Sequence, residues 1–308
     1  MFVVCGEALM DVFGGADHAH GLMLDARIGG SPLNVAIGLA RLAQQVAFFG
    51  ALSSGFLGQR LHRALRAEGV LTDAVATLDA PTTLGLVGLD DRGVPSYAFY
   101  GHGCADRLLP MAALAQVPAA ARAFHLGSYA MVVEPVATTQ RALVEREHRR
   151  SLISYDPNIR LNVEPELARW LDALHWMLPR THLLKVSEED LDLLYPGHEP
   201  QALARAWTAM GVAWVVVTHG AAGASAWNAT EHLRIDPVPV AVLDTVGAGD
   251  TFQAALLAAL AERDALEPAL LRRLSVPLMR EALEFAARAA AITCSRRGAD
   301  LPRRHELN

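Results

Sequence analysis

The stretch Asp244-Thr245-Val246-Gly247-Ala248-Gly249-Asp250-Thr251-Phe252 sets three small residues and an acid ahead of an apolar run, Gln253–Arg263, that reads as a helix. Glycine and alanine leave the first backbone N–H groups of such a helix open, and the positive end of its dipole adds to them. The turn is therefore a ready anion site. A carboxylate at Asp250 would repel a phosphate that was merely bound there. It fits an acceptor for the proton of a hydroxyl that attacks the phosphate. An acid at a helix start also fits plain capping, and spacing alone leaves both readings open.

Other clusters share this double character. Gly29-Gly30-Ser31-Pro32-Leu33-Asn34 offers paired glycines for close approach to a ligand, and an Asn34 amide able to bond sugar hydroxyls at both ends. Locally the plainer reading is an ordinary turn in which Ser31 caps a helix and Pro32 opens it. Thr218-His219-Gly220-Ala221-Ala222-Gly223 follows a strand, at the carboxyl end where open α/β sheets take ligands; a tight turn is the alternative. Ser187-Glu188-Glu189-Asp190 suits a helix start matched to its dipole, or a hydrated Mg²⁺. Asp11, His125-Leu126-Gly127-Ser128 and Asp156-Pro157-Asn158-Ile159-Arg160 also fall at strand ends. For Asp11 and Arg160 a surface ion pair is the plainer reading.

The elements that must carry these residues alternate. Short apolar runs at Phe2–Cys5, Val46–Ala51, Ala123–Leu126, Leu152–Tyr155, His182–Val186 and Trp214–Thr218 predict strands. Segments at about 32–43, 56–68, 135–149, 165–177, 201–210, 249–262 and 280–293 show apolar residues three and four apart and predict helices. Such alternation implies βαβ units, a mostly parallel sheet and helices on both faces. Two stretches break the pattern. Phe13–Ile28 is rich in glycine and histidine, and Thr83–Leu89 with Ser96–Tyr100 reads as a hairpin joined by Asp90-Asp91-Arg92-Gly93. They predict a small extra sheet, an appendage within one domain.

Composition removes several function classes. With 308 residues, 52% hydrophobic, the chain has ample material for a core. A net charge of −6 without a basic stripe argues against nucleic acid. No apolar run approaches the ~20 residues that span a bilayer. Glu7 and Asp11 interrupt the apolar N-terminus, so it does not read as a signal peptide. Cys5, Cys104 and Cys294 match no metal spacing and suggest the reducing cytoplasm. Lys185 is the sole lysine, so no Gly-Lys pair exists and a P-loop is excluded. Only Gly6 follows the first strand closely, which disfavours a dinucleotide-binding oxidoreductase. The twelve histidines read as surface or loop residues, and Trp170, Trp176, Trp207 and Trp214 as core or interface.

Taken in order, Gly6-Glu7-Ala8 with Asp11, Gly29-Gly30…Asn34, Asp156-Pro157-Asn158, Thr218…Gly220…Gly223 and Gly247-Ala248-Gly249-Asp250 resemble the ribokinase-like, PfkB-type carbohydrate kinases over nearly the whole chain. Gly-Glu-Ala-Leu-Met-Asp, His-Leu-Gly-Ser, Asp-Pro-Asn-Ile-Arg and Lys-Val-Ser-Glu-Glu-Asp look most like the bacterial fructokinase branch, with 2-keto-3-deoxygluconate kinases as neighbours. The resemblance implies an α/β three-layer sandwich, one domain over residues 1–308, with a β-sheet lid from about 11–28 and 82–105. It implies ATP, Mg²⁺ and transfer of the γ-phosphoryl group to a primary hydroxyl of a sugar. Asp250 matches the catalytic base, and Gly247, Ala248 and Gly249 the anion hole. Asp11, Gly30 and Asn34 match sugar contacts, and Phe99, Arg107 and Arg160 are further candidates. Lys185, Ser187, Thr218, Gly220 and Gly223 fall to the nucleotide. Asp190 stands where glutamate is usual near Mg²⁺ and would act through water. Asp244 matches a monovalent-cation site for K⁺, which Val246, in place of threonine, weakens. Fructose to fructose 6-phosphate is the expected reaction. A 2-keto-3-deoxygluconate kinase, a ribose or nucleoside kinase and a silent sugar-binding regulator are the alternatives. The resemblance also suggests a homodimer paired through the lid.

Overall fold

The computed structural model describes residues 1–89 and 95–307. Its first part runs β1 (Phe2–Cys5), β2 (Leu9–His18), β3 (Gly21–Gly29), α1 (Ser31–Arg41), β4 (Val46–Ser53), α2 (Phe56–Ala67) and β5 (Val75–Leu78). Then come β6 (Leu84–Leu89), β7 (Pro95–Tyr100), β8 (Ala123–Gly127), α3 (Val136–Glu147), β9 (Leu152–Asp156), α4 (Leu167–Met177), β10 (Leu183–Ser187) and α5 (Glu188–Leu194). The last part is α6 (Pro200–Ala209), β11 (Trp214–Thr218), β12 (Ala224–Trp227), β13 (His232–Ile235), α7 (Ala248–Ala261), α8 (Pro268–Arg272) and α9 (Val276–Cys294).

Among the described residues, nine strands form the main sheet in the order β13-β12-β11-β10-β9-β8-β1-β4-β5. All neighbours are parallel except β11 with β12 and β12 with β13. The strands are uninterrupted apolar runs because both faces are covered. Alternate residues of β1 show it: Phe2 and Val4 join a core with Leu33, Leu256 and Leu283, while Val3 and Cys5 join a second with Leu143, Trp170 and Trp207. This is the three-layer arrangement the alternation predicts. The chain leaves β1 toward β4 and β5, then returns to β8 and builds the other way, so the order reverses beside β1. A crevice opens at the carboxyl ends of the strands at such a reversal.

The smaller sheet, ordered β3-β2-β6-β7, is the expected lid. The glycine- and histidine-rich stretch is a strand pair, antiparallel in register, with Asp11 opposite Arg27. The proposed turn Asp90-Asp91-Arg92-Gly93 lies outside the described residues. Two expectations are corrected. His125 and His182 are buried rather than superficial, and burial depresses them to about 3 and about 4, so both are neutral core residues. Ser31 does not cap α1; Gly30, at φ 107, does.

Candidate active site

The turn at the head of α7 begins with Gly247, at φ 78, where a Cβ would lie 2.6 Å from that of Ala299. Only glycine fits that left-handed, crowded position. The N–H groups of a helix's first turn lack intrahelical acceptors; that of Ala248 reaches Thr245 O at 3.2 Å. Asp250 lies in this first turn and is buried. The Ser31 hydroxyl donates to its Oδ1 at 2.6 Å and the Asn34 amide to its Oδ2 at 2.8 Å. Asn158 donates in turn to the Ser31 hydroxyl at 2.9 Å. Helices α1 and α7 thus meet through the carboxylate of Asp250. The role of Ser31 escaped the sequence reading because a serine before proline at a helix start has the local pattern of a cap.

On the lid side, Asp11 points across the sheet onto glycines: a Cβ on Gly29 would lie 2.1 Å from its Oδ2, and one on Gly85 2.9 Å from its Oδ1. Phe99 stands opposite Gly85 in the register and packs over the same spot. Burial raises the Asp11 carboxyl to about 6, with Arg160 opposing the rise and Asp250 adding to it. Arg160 is exposed, donates to Ile159 O at 2.7 Å and forms no ion pair among the described residues. Gly30 presses against Glu7 O, where a Cβ would be 2.9 Å away. The Arg107 guanidinium lies 5.4 Å over the Tyr129 ring and fills the space a side chain on Gly101 would need. Glu7, which sequence alone did not single out as a site residue, is buried, and burial lifts its carboxyl to about 8. A neutral acid therefore lies under the lid. Nothing in its local pattern, an acid after a strand, announces this.

Beyond the turn, strand ends line up. Gly127 stands opposite Asp156, and Ser187 opposite Thr218. The Lys185 ammonium donates to Asp156 Oδ2 at 2.8 Å and lies 3.3 Å from where a Cβ on Gly249 would be. Burial opposes its charge, but Asp156, then Asp190 and Asp250, outweigh that and raise its pKa, so it stays an ammonium beneath the anion turn. Asp156 Oδ1 and Asn158 Oδ1 are buried without a partner. Ser187 caps α5 through the Asp190 N–H at 3.0 Å, while Asp190 Oδ1 accepts the Ile159 N–H at 3.1 Å. Gly220 and Gly223 adopt positive φ in the turn after β11, and Gly223 abuts Ile235 O. Asp244 accepts the N–H groups of Val246 at 3.0 Å and Gly298 at 2.7 Å, bracing the anion turn against the loop after α9. Next to it a cleft of about 530 Å³ is walled by Val238, Val240, Ala291 and Ile292. The apolar run Val238-Pro239-Val240 was its one trace in the sequence. No cluster of three or more metal-ligating side chains occurs among the described residues.

The profile of the pfkB family carbohydrate kinases matches residues 1–306. The chain belongs to that family. It is an ATP-dependent phosphotransferase with an alcohol group of a sugar as acceptor. A fructokinase of Rhizobium leguminosarum bv. trifolii is 34% identical over 84% of this kinase and 79% of its own length. One from Salmonella typhimurium is 32% identical over 87% and 88%. A crystal structure of a fructokinase with bound ATP from Xylella fastidiosa superimposes with a TM-score of 0.88 at 27% identity, covering 99% of this kinase and 96% of that chain.

Proposed function

We propose that this kinase, as one unit over residues 1–308, transfers the γ-phosphoryl group of ATP to the 6-hydroxyl of D-fructose. The observation that carries the reading is a buried carboxylate, Asp250, in the first turn of α7, oriented by Ser31 and Asn34 and close to the strand-end cleft. Asp250 takes the hydroxyl proton as the O6–P bond forms and the bond to the β-phosphate oxygen breaks; ADP leaves, and the proton passes on to solvent. Gly247, Ala248 and Gly249 offer backbone N–H groups to the transferring oxygens, with the Lys185 ammonium beneath. Asp11, Gly30, Asn34, Phe99 and Arg107 are assigned to the sugar. Thr218, Gly220 and Gly223 are assigned to the nucleotide, with its base in the cleft at Val238 and Val240.

The unpartnered Asp156 Oδ1 and the buried Asp190 fit a hydrated Mg²⁺ held mainly by the nucleotide, since Mg²⁺ keeps several waters. The ion would neutralise phosphate charge there. Ser187 belongs to that side as the cap of α5. K⁺ beside Asp244 is assigned a lesser, bracing part.

One observation favours a second substrate class. Arg160 has no ion pair among the described residues, and a sugar acid such as 2-keto-3-deoxygluconate would give it a carboxylate. Mg²⁺-dependent ADP release is measured with fructose, 2-keto-3-deoxygluconate, ribose, glucose and adenosine. Turnover on fructose alone supports the proposal, and preference for the keto acid replaces it with the second reading. Asp250→Asn should lower kcat by about 10²–10⁴-fold and leave ATP affinity near wild type. A variant with wild-type kcat would remove Asp250 as the base.

A further inference from the structure

The lid carries a charged pair, Arg27 and Asp25, that none of these assignments uses. Arg27 stands directly opposite Asp11 in the register of β2 with β3, so it shares the lid face that looks onto the cleft. Its guanidinium reaches from the lid to the body: Nη1 lies 3.5 Å from the point a Cβ on Gly298 would occupy. The next residue, Ala299, packs against Gly247 at the head of the anion turn. Two of the three nitrogens are taken, since Nε donates to Asp25 Oδ2 at 2.8 Å and Nη2 lies 2.7 Å from the same oxygen. Nη1 has no acceptor among the described residues. The Phe13 ring, 5.5 Å under Cζ, supports the guanidinium plane.

The charge around the cleft gives that free edge a use. Four acids bear on one another there, Asp156 at the end of β9 with Asp11, Asp190 and Asp250, while the one lysine is spent on Asp156 and Arg160 is shared among three of them. A transferring phosphoryl group adds negative charge on three equatorial oxygens. An arginine suits that task, because its charge is permanent and its N–H groups fan out in a plane. Resting on the kinase reading of the anion turn, we propose that Arg27 is a phosphoryl-contacting residue carried by the lid. Nη1 donates to the γ-phosphoryl group seated at Gly247–Asp250, and Asp25 holds the guanidinium in that attitude. Charge neutralisation is then complete only when the lid covers the cleft, which ties transfer to sugar binding rather than to water.

Titration calorimetry of wild type, Arg27→Ala and Arg27→Lys tests this, with the β,γ-imido analogue of ATP and with ADP, Mg²⁺ and fructose being present. Arg27→Ala should lose roughly tenfold or more in affinity for the analogue, the cost of one charge-assisted hydrogen bond, while ADP binding holds. Its kcat should fall at least as far, and Arg27→Lys should recover part of both. Equal losses for the two nucleotides would make Arg27 a brace between lid and body, and overturn the proposal. Unchanged affinities with wild-type kcat would overturn it too, while leaving the kinase reading intact. A wild-type chain that binds neither nucleotide would defeat both at once.

Discussion

Asp250, buried, and Asp11, partly buried, are acids at the cleft held in different ways. Asp250 is oriented by two neutral donors, while the Lys185 ammonium, whose charge it helps sustain, makes its ion pair with Asp156. Asp11 faces glycines and an aromatic ring, and loss of solvent lifts its carboxyl to about 6. Its carboxylate accepts a sugar hydroxyl far more strongly than its protonated form does, so sugar binding should weaken as pH falls through that value. In wild type, kcat/KM for the sugar should drop about tenfold per pH unit below 6. Asp11→Asn should have a lower plateau and an acid limb moved to lower pH. A limb still centred near 6 in the variant would assign the titration elsewhere. Stability carries the opposite sign. The folded state holds the Asp11 proton more tightly than the unfolded chain, whose ordinary value is 3.8. Its contribution is full below that value and is lost as pH rises through about 6.

At the scale of elements, the anion turn depends on one backbone choice. Gly247→Ala forces a Cβ into Ala299, 2.6 Å from its Cβ and 2.9 Å from its Cα, at a φ of 78. The turn must shift, carrying Gly249 and Asp250 with it. The substitution should cost about 1–3 kcal/mol of stability, read as a lower Tm, and reduce kcat more than sugar KM. Wild-type kcat in a folded variant would show that the turn tolerates displacement. What the sequence disclosed follows the same physics. Strands buried on both faces, such as β1, β4 and β11, stand out as apolar runs, and the glycines of the turns mark the ligand edge. β12 and β13, four residues each, are too short for periodicity to separate from a loop, and α8 has only five. The hydrogen bond from Ser31 to Asp250 joins residues 219 apart in sequence, and no local pattern reports on such a partner. Arg27 was hidden likewise, since its meaning lies in a register opposite Asp11 and a reach to Gly298.

For the whole molecule, the lid's two faces have different work. One carries the row Arg27, Asp11, Gly85, Phe99 toward the cleft. The other carries the rows Ile28, Met10, Leu84, Tyr100 and Ala26, Val12, Leu86, Ala98, and continues along β3 to Leu24 and Leu22. That second face is apolar, and it stays open at its margins: Leu22 is 53%, Leu24 52% and Tyr100 61% exposed. β3 is also an edge strand, whose free N–H and C=O groups invite pairing. A second copy, related by a twofold axis, would cover both features with one self-complementary contact. We therefore expect a homodimer clasped through the lid. The double variant Leu22→Glu, Leu24→Glu should elute as a monomer while keeping its fold, because both side chains are exposed in the single chain. Its sugar KM should rise, since a lid without its brace brings Asp11 less often onto the sugar. Light scattering coupled to gel filtration at micromolar concentration decides the matter: a wild-type chain with the mass of one copy would leave that face uncovered and end the dimer reading.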